Sequence, residues 1–148
     1  MLAIVRPDGW NLPLLVHVAG AMLLVGALVV VAATTAAALR RDGDVAVLTR
    51  FSFRALLLGV LPSYIVMRVS AEWVASEEAV GDPGWVGIGY ATADGGLLLT
   101  IIAIVLAWRA ARRGADRSGG SSRAVFVLSA LLILAYVVAI WAMTGKPD

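Results

Sequence analysis

Apolar residues fill four long runs, residues 12–39, 55–74, 88–108 and 124–143, and charged residues are swept into the segments between them. Each run approaches or exceeds the roughly 20 residues that a helix needs to cross about 30 Å of hydrocarbon. Lipid offers no partner to an open backbone, so such runs read as helices. The first run has residues to spare and can tilt or emerge from the bilayer. Trp10 and Asn11 give it an interfacial start, and Arg40 and Arg41 close it. The pattern predicts an all-α fold: a polytopic membrane protein, with short connections making one antiparallel four-helix transmembrane bundle. A cleaved leader is not expected, because the first run is too long and its flank pairs Arg6 with Asp8. No internal repeat is apparent.

Charge then orients the runs. The first connection holds Arg40, Arg41, Arg50 and Arg54, and the third holds Arg109, Arg112, Arg113, Arg117 and Arg123 around a flexible Ser118-Gly119-Gly120-Ser121-Ser122 segment. The opposite side offers Arg6 and Lys146. Positive residues collect on the cytoplasmic side, so both termini are expected outside a plasma (inner) membrane. The second connection carries Glu77, Glu78 and Asp82, with a turn at Asp82-Pro83-Gly84 and an anchor at Trp85. It lacks calcium-loop spacing and reads as a solvated acidic loop.

Composition agrees and excludes several chemistries. The chain of 148 residues is 61% hydrophobic and 15% charged, with a mean hydropathy of +0.91. A net charge of +2 is too small for nucleic-acid binding. Absence of cysteine removes disulfides, thiolate metal sites and a thiol nucleophile. No nucleophile–base pair or metal constellation appears, so no enzyme, cofactor or metal site is expected.

Small residues predict how the helices meet. Ala19, Gly26, Ala33 and Ala37 lie along one face of the first helix, and Gly96, Thr100, Ala103, Ala107 and Ala110 along one face of the third. Such stripes let helices approach closely, within the bundle, in a homo-oligomer or against a partner membrane protein. Pro62, beside Gly59, removes the hydrogen bond to the Leu58 carbonyl and predicts a kink in the second helix.

The chemistry concentrates in the outer half. Tyr64, Arg68 and Glu72 follow one another at four-residue intervals on the second helix. Arg68 lies about 9 Å below the outer boundary, where a charge needs a partner, water or a snorkelling route. Glu72 is the nearest partner, although this order of charges is the poorer one within a helix. His17, the single histidine, is about 8 Å deep in the same layer. It serves as a hydrogen-bonding, proton-sharing or ligand-contacting group. Haem would need Met67 or a second protomer's His17 as its other axial ligand. Asp94 is read as the N-cap of a helix starting at Gly95, with Thr92 as an alternative, in preference to a buried counter-ion of Arg68. Tyr136 needs a partner for its hydroxyl, and the outer polar layer offers one.

The pattern His17-x-x-Gly20 followed by Gly26, with three further spans, resembles small bacterial four-helix integral membrane proteins of uncharacterised families, and more distantly CopD-type membrane modules. The resemblance covers mainly the first helix and the layout. The copper sites of CopD-type modules need several histidines or methionines; this chain has one histidine and four methionines, so copper binding is not carried over. The functional expectation is a non-enzymatic protein with an outward-facing polar pocket. His17, Tyr64, Arg68 and Tyr136 line it and Glu72 and Asp94 stand at its mouth, for a lipid, quinone or other small ligand. A structural subunit packing through its small-residue faces is the alternative, and a transporter is disfavoured because no charged group continues into the inner half.

Overall fold

The computed structural model describes residues 8–41, 43–78, 84–113 and 119–145, and all secondary structure in them is helical. The elements are α1 (Asp8–Arg40), α2 (Val45–Ala55), a π-helical turn (Leu56–Val60), α3 (Leu61–Glu78), α4 (Gly84–Arg112) and α5 (Gly119–Gly145). α2, the π turn and α3 join end to end. The result is a bundle with four helical stretches long and apolar enough to cross a membrane. The expected turn residues Asp82 and Pro83, and the terminal Arg6 and Lys146, lie outside the described residues.

The helices overrun the apolar runs, and local chemistry says why. The second begins at Val45, not near residue 55, because Asp44 caps it: Asp44 Oδ1 accepts from the amides of Ala46 at 2.8 Å and Val47 at 3.3 Å. Arg50 and Arg54 therefore project from a helix and not from a loop, both exposed. Arg41 and Gly43 turn the chain into it with φ of 59° and 107°. Glycine suits the second value, which L side chains rarely adopt. The segment Gly119–Ser122, expected to be flexible, is helical. Ser122 is buried there beside Ala107 and Ala110, so packing extends the helix past its apolar run.

Burial follows a three-then-four spacing, the seam of packed helices. On α4 it runs through Gly89, Ala93, Gly96, Thr100, Ala103, Ala107 and Ala110. On α5 it takes Ser122, Val125, Ser129, Leu132, Tyr136, Ala139 and Ala142. The small-residue stripe expected on α4 is thus a packing face, with Gly96 beneath Tyr136 and Gly89 beneath Met143. The stripe expected on α1 is not. Ala19, Gly26 and Ala33 are exposed, and a Cβ at Gly26 would meet nothing within 4 Å. The packed face of α1 is instead Gly20, Leu24, Leu28, Val31, Thr35 and Ala38, one position along, because larger side chains fill the core. At Gly20 the backbones nearly touch: a Cβ there would stand 2.9 Å from the amide nitrogen of Met67.

The second helix departs from the seam at one place. Its buried positions are Thr49, Ser52, Leu56, Val60, Tyr64, Met67 and Ser70. Regular spacing from Leu56 would continue to Gly59 and Ser63; the observed Val60 and Tyr64 are each one residue later. The π turn supplies that residue, with the Leu61 amide donating to the carbonyl of Leu56, five residues back. The irregularity expected at Pro62 therefore takes the form of a π turn just ahead of it. Pro62, with no N–H to give, lies one residue past the reset.

At the end of the bundle carrying Arg50, Arg54, Arg109, Arg112 and Arg123, the core is made of small and hydroxyl side chains. Thr35, Thr49, Ser52, Ala107, Ala110, Ser122 and Val125 meet there. Thr34 Oγ1 and Ser52 Oγ share a hydrogen bond of 2.8 Å between α1 and α2, and Arg112 stacks over Trp108, its Cζ 4.3 Å from the ring centre.

Candidate functional site: an ionic bridge between α3 and α4

The charged site lies at the other end, where α3 and α4 otherwise meet at few points. Arg68 spans the gap. Its guanidinium donates through Nη1 to Glu72 Oε1 one turn further along α3. Across the gap its Nε stands 3.8 Å from Asp94 Oδ1 of α4. Tyr90, one turn before Asp94, presents its ring to the same guanidinium at 4.7 Å from the centroid. One cation thus faces two carboxylates and an aromatic face.

Asp94 is not a cap. It lies ten residues inside α4, which starts at Gly84, about 15 Å along the axis. Gly95 and Gly96 suggest a break in the sequence, but the helix passes through both. Gly96 lacks a side chain because the Tyr136 phenol occupies that space. The counter-ion role, set aside on sequence grounds, is the one Asp94 takes.

Tyr64, Arg68 and Glu72 do not share one face. Four residues advance a helix by about 40° beyond a full turn, and the three side chains fan outward accordingly. Tyr64 is 4% exposed and lies in the core, while the side chains of Arg68 and Glu72 are 27% and 55% exposed. Asp94 is 71% exposed. Each carboxylate ends an exposed apolar track at helical spacing: Ile65 and Val69 lead to Glu72 on α3, and Leu98 and Ile101 lead to Asp94 on α4.

His17 belongs to a separate contact. Its Nδ1 lies 3.0 Å from the carbonyl oxygen of Met67. A carbonyl only accepts, so Nδ1 carries the proton and Nε2 is left as an acceptor in the neutral ring. Ser70 Oγ donates to the same carbonyl at 3.0 Å. Among the described residues no hydrogen bond or ion pair joins His17 to Arg68, Glu72 or Asp94. Nor does any group of three His, Cys, Asp or Glu side chains there converge to hold a metal ion.

Tyr136 is buried, and its hydroxyl has no hydrogen-bond partner; the outer polar layer does not supply one. Thr100, Ser122 and Ser129 hydroxyls are likewise buried without partners. The six residues singled out by sequence therefore divide into a surface triad of Arg68, Glu72 and Asp94, two core tyrosines, and a histidine that fastens α1 to α3. Tyr90 escaped the sequence reading because the cation it stacks on belongs to another helix. Compared with known proteins, the chain matches no family model, no curated protein and no solved structure.

Proposed function

We propose that this chain is a non-enzymatic multi-pass protein of a bacterial inner membrane that holds the polar head of an amphiphile, a lipid or a quinone, at the Arg68 bridge. One observation carries the reading: Arg68, Glu72 and Asp94 form a single charged cluster at the ends of two exposed apolar tracks. A charged head above parallel apolar strips is the complement of an amphiphile. The cluster opens sideways between α3 and α4 instead of into a central outward-facing pocket, since Tyr64 and Tyr136 are packed in the core.

The arrangement behind this reading is an antiparallel bundle with both termini outside. Two series of contacts favour it. Gly89, Gly96 and Ala110 of α4 go with Met143, Tyr136 and Ser122 of α5, one number rising as the other falls. His17 and Gly20 go with Met67, Ala27 with Gly59, and Thr34 with Ser52. Arginines at one end of the bundle support a cytoplasmic assignment for that end.

The test is the lipid and quinone content of protein purified in mild detergent, quantified by mass spectrometry. Wild type should retain a defined amphiphile and Arg68→Ala should lose it. Equal retention by a variant of unchanged thermal stability would overturn the reading. A second reading, self-association, rests on the exposed Ala19, Gly26 and Ala33 strip of α1. Crosslinking in native membranes that yields only monomers would dismiss it.

A further inference from the structure

The charge balance at the bridge says what kind of head it takes. Arg68 is one cation against two carboxylates, so the cluster carries a net charge of −1 when all are ionised. Glu72 already holds Nη1. Asp94 stands at 3.8 Å, beyond hydrogen-bond length, with most of its carboxylate exposed. It therefore retains acceptor capacity, on a helix face whose next exposed residues, Leu98 and Ile101, are apolar. A carboxylate in such a setting needs a cationic or donating partner. A purely anionic head would be drawn to Arg68 but would face two carboxylates at close range.

We propose that the head bound here is zwitterionic, with a primary ammonium beside a phosphodiester, as in an aminophospholipid. The ammonium donates to Asp94 and the exposed part of Glu72. The phosphodiester takes the guanidinium donors that Glu72 leaves free, and the acyl chains follow the Ile65–Val69 and Leu98–Ile101 tracks. Arginine suits the phosphate because its fork offers several donors, and Tyr90 holds that fork in place from its face. A quaternary ammonium fits poorly, since it has no N–H to give.

This inference rests on the amphiphile reading above, and the experiment separates the two. Purified protein would be equilibrated with phosphatidylethanolamine, phosphatidylcholine and phosphatidylglycerol at equal mole fraction, and bound lipid counted by native mass spectrometry. Phosphatidylethanolamine should exceed each of the others by about fivefold, the worth of one charge-assisted hydrogen bond in a partly exposed site. Asp94→Asn and Glu72→Gln, which keep side-chain shape, should each reduce that preference while total bound lipid stays near wild type. Bound lipid without headgroup preference, or a preference for phosphatidylglycerol, would overturn the zwitterion and leave the amphiphile reading standing. No bound lipid from any of the three, in wild type and Arg68→Ala alike, would overturn both.

Discussion

At the scale of single residues, the least expected pairing is Gly96 with Tyr136. A phenol buried among apolar neighbours usually finds a partner, and one that does not costs about 1–3 kcal/mol. Tyr136 has none among the described residues, and its hydroxyl fills the space a Cβ on Gly96 would need. Two consequences follow. Gly96→Ala should destabilise the protein by about 1–3 kcal/mol through overpacking. Tyr136→Phe, which removes an unsatisfied polar atom, should be neutral or stabilising and should restore most of what Gly96→Ala loses. Thermal unfolding of the two single variants and the double variant in detergent checks this as a coupling between sites. Additive effects would mean that the hydroxyl and Gly96 do not compete for the same space. Sequence reading located Tyr136 correctly in the apolar interior but assigned its hydroxyl a partner. Position follows from hydropathy, whereas partnership depends on which helix lies opposite. The same limit hid Tyr90 and turned Asp94 into a cap: Gly95 and Gly96 carry the same local signal whether a helix begins there or another side chain packs on them.

At the scale of elements, the π turn decides which residues face α4. The four membrane-length helices were legible because hydropathy alone sets them. Their ends were not, since Asp44 capping and Ser122 burial act outside the apolar runs. The extra residue at Leu56–Val60 was also hidden, because nearly every position there is apolar and a shift of one leaves no mark on hydropathy. Its effect is large: one residue rotates everything beyond it by about 100°. Deleting Leu58, an exposed residue of the turn, should convert it to regular α-helix. That would carry Tyr64 out of the core and Arg68 away from Asp94. A second deletion on the regular α5 helix gives no such matched rotation and serves as the comparison. The expected outcome is loss of a cysteine crosslink between positions 68 and 94, engineered as Arg68→Cys with Asp94→Cys, on deletion of Leu58. A crosslink formed at the undeleted rate would show that the π turn does not set this register.

At the scale of the whole molecule, the arrangement turns on which end faces the cytoplasm. The basic end carries Arg50, Arg54, Arg109, Arg112 and Arg123 on helices, where the sequence suggested loops for several of them. That change strengthens the orientation argument. Arginines held on helix ends stay at a fixed height, and Arg112 stacked on Trp108 places a cation beside an interfacial aromatic. The ionic bridge then lies toward the outer leaflet, level with Tyr90, and at the end opposite the hydroxyl-lined core of Thr35, Thr49 and Ser52. Because the chain has no cysteine, single introduced cysteines report topology without background. Gly43→Cys is avoided, since its backbone favours glycine; Arg41→Cys and Arg113→Cys probe the basic end, and Ser76→Cys the other. In intact cells a membrane-impermeant maleimide should label Ser76→Cys and leave Arg41→Cys and Arg113→Cys unlabelled until the membrane is opened. The reverse pattern would invert the protein and move the bridge to the cytoplasmic leaflet. Labelling of Arg41→Cys and Arg113→Cys from opposite sides would break the bundle's proposed threading, because both follow helices that end at the basic end.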